Sequence, residues 1–275
     1  MLYCRSSNSM KELCDELVKN GDIKNGNVYQ AMLKVDRKDF APCYPYEDSP
    51  QSINYNVTIS APHMHAYCLE LLQDHLKEGG KALDIGFGSG YLTVAMSKMM
   101  EDKGLVIGIE HIKELCDFAK KNISKNNKDL LDSKKILLIN GDGRLGCQKY
   151  GPYNCIHVGA AASELPKVLI DQLAFGGRLV IPVGYQGQSQ YINIIFFKSN
   201  KSLLFLLIFL LAKSHNSLIC SIPTTSPLSS IILLIATVKY PLPNPISNAF
   251  PPSFKWSCNN SKQYACIWGA DIVTL

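Results

Sequence analysis

The sequence has no Cys-x-x-Cys pair. Its ten cysteines stand apart, at positions 4, 14, 43, 68, 116, 147, 155, 220, 258 and 266. That spacing supplies neither a zinc site nor a thioredoxin-type redox motif. It fits reduced thiols in a cytoplasmic protein, some of them filling core positions. The first residues, Met1-Leu2-Tyr3-Cys4-Arg5-Ser6, lack the apolar run of a secretory signal. A run long enough to cross a bilayer as a helix, about 20 apolar residues, is also missing. The longest, Leu203–Leu211, lies between Lys201 and Lys213, and Ile231–Val238 is shorter still. A buried strand, a buried helix or an interfacial segment is expected there, not a stable membrane span.

Charge is scarce and unevenly placed. Charged residues make up 19% of the chain, which carries a formal net charge of +5. Soluble domains usually hold about 25%. From Ser199 to Leu275 there are five lysines and one acid, Asp271, and only one of the 19 glycines, Gly269. Residues 1–198 carry 23 basic and 22 acidic groups. The body is therefore close to neutral and offers no basic face for nucleic acid. Two parts are expected: a body over residues 1–198, and an apolar, Pro-rich, partly irregular tail over 199–275.

Within the body, Met10, Leu13, Leu17 and Val18 recur at helical spacing, and Asn20-Gly21 supplies a stop. Val28, Met32 and Val35 suggest a second short helix. Ser60-Ala61-Pro62 opens a third, with Ser60 as N-cap and Pro62 in the first turn, and Leu69, Leu72 and Leu76 share one of its faces. From Lys81 onward, short apolar strands alternate with helices. Strands are expected at 82–85, 105–109, 135–139, 154–158 and 177–183, and helices at 91–100, 111–125 and 165–173. Residues 191–197 and 231–240 could supply two more strands, and 241–252 reads as irregular. Alternation of this kind predicts an α/β fold, a doubly wound, mostly parallel sheet with atypical last strands. Ligands in such folds bind at the carboxyl ends of the strands.

The first of these strands runs into Gly86-Phe87-Gly88-Ser89-Gly90, which opens a helix. Such a loop turns backbone N–H groups toward a ligand at a helix N-terminus. A dinucleotide fingerprint would need glycine at position 91, which is Tyr91. The form present is Asp-x-Gly-x-Gly-x-Gly, starting at Asp84. Glu110 closes the next strand, where an acid can accept hydrogen bonds from ribose hydroxyls. Asp142, between Gly141 and Gly143, closes the third. Taken alone, Asp142 reads equally as a turn residue. His63-x-His65 has no third ligand nominated by spacing, so no metal site is expected.

The loop resembles the first motif of class I S-adenosylmethionine-dependent methyltransferases, with a Rossmann-like fold. A narrower resemblance lies in Asp48-Ser-Pro-Gln-Ser52, Thr58-Ile-Ser-Ala-Pro-His-Met-His-Ala66, Gly141-Asp-Gly-Arg144 and Ile156-His-Val-Gly-Ala-Ala-Ala162. Together these resemble the protein-L-isoaspartate (D-aspartate) O-methyltransferase family over residues 10–190. The resemblance implies methyl transfer from S-adenosyl-L-methionine to the free carboxylate of L-isoaspartyl and D-aspartyl residues in damaged peptides and proteins. It implies Ser60 as the active-site serine. It implies cofactor contacts from Val57, Thr58, Ile59, Ser60, His65, Asp84, Ile85, Gly86, Gly88, Glu110, His111, Asp142 and Gly143. A monomer is expected.

Departures from the family pattern are also visible. Phe87 stands within the glycine loop where a small residue is usual and could crowd the cofactor. Glu110 is one methylene longer than the usual Asp. After about Gln190 nothing matches the family's closing strands, and the tail could equally be no evolved domain at all, as from a misassembled reading frame. Two alternatives to the repair enzyme follow: an impaired variant that only binds S-adenosylmethionine, and a methyltransferase with another acceptor.

Overall fold

The structure is a computed structural model that describes residues 7–185, 190–198 and 232–238. Helix α1 (Met10–Asn20) begins where the Ser9 side chain accepts a hydrogen bond from Glu12 N, and ends at Gly21 in the left-handed region, φ 81°. Met10, Leu13, Cys14 and Leu17 are buried along it, whereas Val18, expected on that face, is exposed. Helix α2 (Gly26–Leu33) buries Val28, Ala31 and Met32. A single 3-10 turn, Arg37–Asp39, leads to a small antiparallel hairpin, β1 (Gln51–Ser52) and β2 (Thr58–Ile59). Helix α3 (Pro62–Leu72) follows at once.

The main sheet is built from β3 (Lys81–Ile85), β4 (Leu105–Glu110), β5 (Ile136–Asn140), β6 (Tyr153–Val158), β7 (Leu173–Val183), β8 (Tyr191–Lys198) and β9 (Ile232–Val238). Between them run α4 (Tyr91–Met99), α5 (Lys113–Asn126), α6 (Lys128–Asp132) and α7 (Lys167–Ile170). The strand order is β5-β4-β3-β6-β7-β8-β9. The first five of these pair in parallel, while β8 and β9 are antiparallel to their neighbours.

Neighbouring residues on each strand split between two apolar layers, as the pleat requires. Ala82, Val106, Cys155 and Val180 join the layer beneath α1–α4, while Leu83, Ile107, Ile156 and Leu179 join the layer on the other face. Both faces are covered, which explains why the strands read as continuous apolar runs. Truncating such a residue, Leu83→Ala for example, typically costs about 2–5 kcal/mol.

One expected helix is shorter. The helix anticipated over 165–173 is only Lys167–Ile170, because Leu173 already pairs with Tyr153 and starts β7. The two further strands offered at 191–197 and 231–240 are present as β8 and β9, which pair from Lys198↔Ile232 to Ile192↔Val238. The run at 203–211 and the stretch at 241–252 lie outside the described residues. Among the described residues, no helix is long and apolar enough to cross a membrane.

The chain leaves β3 for β4 on one side and later returns to β6 on the other. That reversal opens a crevice at the carboxyl ends of β3 and β6, the position where open α/β sheets bind ligands.

Candidate active site

The floor of the crevice is the turn after β3. Gly86, Gly88 and Gly90 adopt φ of 74°, 53° and 85°, conformations that L side chains rarely take. Gly86 N donates to the Ile109 carbonyl at 2.8 Å, tying the turn to β4. A Cβ on Gly88 would stand 3.2 Å from Ile53 Cδ1, so the loop passes close beneath the β1–β2 hairpin.

The acids at the strand ends have distinct surroundings. Glu110 is buried; its Oε2 accepts from Gly88 N at 3.2 Å, and its Oε1 accepts from His111 N at 2.8 Å and Ile112 N at 3.1 Å. Three backbone donors therefore fix the carboxylate at the rim of the loop. His111 itself is exposed, with Nδ1 2.9 Å from Glu110 Oε1.

Asp84 is fully buried, with Oδ2 accepting from Thr93 Oγ1 at 2.6 Å and Oδ1 2.9 Å from His157 Nδ1. The two residues are register partners on β3 and β6. Burial disfavours a charged His157, but the Cys68 sulfur and the Asp84 carboxylate outweigh it and push the imidazole up to about 10. The result is a buried imidazolium–carboxylate pair beside the glycine loop.

The opposite wall is β2 and the start of α3. Val57, Thr58, Ile59, Ser60 and His65 share one cleft of about 720 Å³, including its open mouth, with Asp84, Gly86, Gly88, Glu110 and His111. Ser60 is not the N-cap expected of it. Ala61 occupies that position without a side-chain cap, and Asp48 caps the helix from outside by accepting from His63 N at 2.9 Å. With that task taken over, the half-buried Ser60 hydroxyl stays free of capping. His63 also sets its ring Nδ1 2.8 Å from the same Asp48 oxygen. Opposed by burial, this contact raises the His63 pKa.

Three predicted residues stand outside the cleft lining. Ile85 lies just behind the loop, accepting from Gly159 N at 2.7 Å. Gly143 packs against it, close enough that a Cβ would meet Ile85 Cγ2 at 2.4 Å. Asp142 is exposed and held in the fork of Arg144, accepting from its N at 3.0 Å, Nε at 2.9 Å and Nη2 at 2.7 Å. Arg144 lowers the Asp142 carboxyl to about 2.

The sequence reading missed Ser89, Tyr91, Leu92 and, across the cleft, His157, Gly159 and Ala160. One signal was available: His157 is a titratable residue inside an apolar strand. It also missed Arg37, which is completely buried beneath Ser60 and His65.

The residues present fit S-adenosylmethionine. Buried acceptors at Asp84 and Glu110 suit its hydroxyl and ammonium donors, and the loop keeps clear the space a side chain on Gly88 would take. Tyr91 is among the lining residues, and its hydroxyl is buried without a hydrogen-bond partner among the described residues. A parallel sheet with a glycine loop and acids at successive strand ends, and without the dinucleotide spacing, defines a class I S-adenosylmethionine-dependent methyltransferase.

The particular family follows from comparison. The profile of the protein-L-isoaspartate(D-aspartate) O-methyltransferase family matches residues 8–205, and the chain belongs to that family. It is 51% identical over 183 residues to protein-L-isoaspartate O-methyltransferase of Caenorhabditis elegans, covering 66% of this chain and 81% of the relative. It is 49% identical over 182 residues to protein-L-isoaspartate O-methyltransferase 1 of Arabidopsis thaliana, covering 65% and 79%. Among solved structures, it is similar to a Plasmodium falciparum chain assigned to the same activity and crystallised with S-adenosyl-L-homocysteine. The TM-score is 0.67 at 40% identity, covering 70% of this chain and 92% of that one.

Proposed function

We propose that the protein transfers a methyl group from S-adenosylmethionine to the free carboxylate of L-isoaspartyl, and also D-aspartyl, residues in damaged peptides and proteins. The observation that carries this reading is the shared cleft. The Ser60 segment and the glycine loop, far apart in sequence, line one space.

The chemistry asks little of the protein in proton transfer. An α-carboxylate has a pKa of about 3.3–3.7 and is ionised near neutral pH. No general base is needed. S-adenosylmethionine, when bound, supplies an activated methyl group on a sulfonium. The chain's own residues must orient the acceptor in line and exclude water from it. Ser60 offers a hydroxyl donor at the cleft edge. His65, buried on the same side, offers a ring nitrogen. Glu110 and the loop amides hold the other side of the cleft. A nucleophilic serine has no part in a direct transfer.

The test is transfer of labelled methyl to an isoaspartyl peptide and to its matched aspartyl peptide. Label on the isoaspartyl peptide alone is expected. Equal labelling of both, or of neither, overturns the reading. We further propose a cytoplasmic monomer. Free thiols at Cys14, Cys43, Cys68, Cys116, Cys147 and Cys155 support a reducing compartment.

A further inference from the structure

We propose that Arg37 is a positioning residue for methyl transfer, fixing His65 as the tautomer that carries its proton on Nε2 and holding the Ser60 peptide at the cleft edge. The kinetic part rests on the methyltransferase reading above; the tautomer part does not.

Arg37 has no exposed surface. A buried cation is costly unless its surroundings compensate it. Among the described residues no carboxylate lies within ion-pair distance of it. Instead its contacts are all parts of the cleft wall. Nη2 donates to the Ser60 carbonyl at 2.7 Å, and Nη1 lies 3.2 Å from His65 Nδ1. The guanidinium carbon sits 5.5 Å from the centre of the Tyr91 ring, at the first residue of α4. One side chain thus ties the Ser60 segment, α3 and the helix after the glycine loop together. Its Nε has no partner.

The donor inventory decides the tautomer. A guanidinium only donates, so His65 Nδ1 must accept with its lone pair. A neutral ring then carries its hydrogen on Nε2. The ring is kept neutral: burial and the cations of Arg37, His157 and His63 hold His65 well below its ordinary value. The Tyr91 ring, tilted by 33° with its centre 4.9 Å from that of His65, is a further titratable neighbour. His65 lines the cleft. Its Nε2–H is therefore the polar edge left to meet an incoming carboxylate. The opposite tautomer would present a lone pair to that anion and repel it.

Nitrogen NMR of the full chain labelled in histidine tests the first claim directly. The resonances lost in His65→Gln identify the residue. Between pH 6 and 8 a neutral ring protonated on Nε2 is expected. A ring protonated on Nδ1, or a doubly protonated ring, overturns the proposal whether or not the protein methylates anything. The second test is kcat/KM of Arg37→Met and Arg37→Lys with an isoaspartyl peptide. In Arg37→Met it falls about 10- to 100-fold at pH 8, the effect of losing hydrogen bonds to a charged group. Arg37→Lys, which keeps a donor toward His65 Nδ1, is expected to retain severalfold more of it than Arg37→Met. Equal losses in Arg37→Lys and Arg37→Met overturn the positioning role. If either variant fails to fold, the tautomer measurement on the wild-type chain still decides.

Discussion

Phe87 occupies the space that Gly108 leaves open on the neighbouring strand. A Cβ on Gly108 would stand 2.7 Å from Phe87 Cδ1 and 3.2 Å from Leu138 Cδ2. Read from sequence, an aromatic residue inside the glycine loop suggests an obstruction. The structure turns the ring down onto β4, where it is 5% exposed and contributes an apolar wall to the cleft. The missing side chain at Gly108 makes that conformation possible.

Gly108→Ala therefore tests the arrangement. The new methyl drives the ring upward into the cleft or strains β4. Overpacking of this kind costs about 1–3 kcal/mol of stability. Calorimetry with S-adenosylhomocysteine is expected to show affinity reduced by about tenfold, a little over 1 kcal/mol. Adding Phe87→Ala should restore much of it. Equal affinity in wild type and Gly108→Ala would mean that the ring has somewhere else to go.

The His157–Asp84 pair makes stability depend on pH in a definite direction. The folded-state pKa of His157, about 10, lies above the ordinary imidazole value. A raised value stabilises the fold fully below about pH 6.5, and that contribution disappears as pH rises toward 10. Urea denaturation of wild type and His157→Gln should show their difference largest at pH 6 and shrinking steadily to pH 10. A gap that widens with pH would reverse the assignment of charge.

Much of this site was legible because its determinants are local. Strands buried on both faces appear as apolar runs, and a glycine loop between a strand and a helix declares itself by spacing. Asp84 and Glu110 follow from their places at strand ends. What escaped depends on contacts between distant segments. Asp48 caps α3 from 15 positions away and so displaces Ser60 from that role. His157 meets Asp84 only because β3 and β6 pair in register across 73 positions. Arg37 sits beneath Ser60 and His65 after a loop of more than 20 residues. Nothing in a basic residue within the segment Asp36-Arg37-Lys38-Asp39 marks it as buried. Val18 kept the helical spacing of its neighbours but lies at the edge of the buried stripe, where spacing alone does not separate inside from outside.

Asp142 is the acid whose role depends most on orientation. Arg144 holds it in a fork, and the carboxyl is lowered to about 2. Its charge is accordingly retained well into acid, and any hydrogen bond it accepts from the cofactor persists to about pH 3. Asp142→Asn and Arg144→Ala should each weaken S-adenosylhomocysteine binding by about 3- to 10-fold, the worth of one ordinary hydrogen bond. In Arg144→Ala the acid loss of binding should also shift upward, toward the normal carboxylate range. Titration calorimetry between pH 3.5 and 7 separates the two effects. An Arg144→Ala protein that binds as tightly as wild type would show that the fork does not orient the acid for the cofactor.

Ser60 carries the sharpest division between binding and turnover. Its carbonyl is engaged by Arg37, whereas its hydroxyl is left without a capping task at the start of α3. A hydroxyl that donates to the acceptor carboxylate acts where the methyl is received, not where the cofactor's adenosyl group is held. Ser60→Ala should therefore lower kcat for the isoaspartyl peptide by about 10- to 100-fold, the range of a hydrogen bond to a charged group. Affinity for S-adenosylhomocysteine should change less than about threefold, under 1 kcal/mol. Ser60→Thr keeps the donor and should retain more activity than the alanine variant. A large loss of cofactor binding with unchanged turnover would place Ser60 on the cofactor side of the cleft instead.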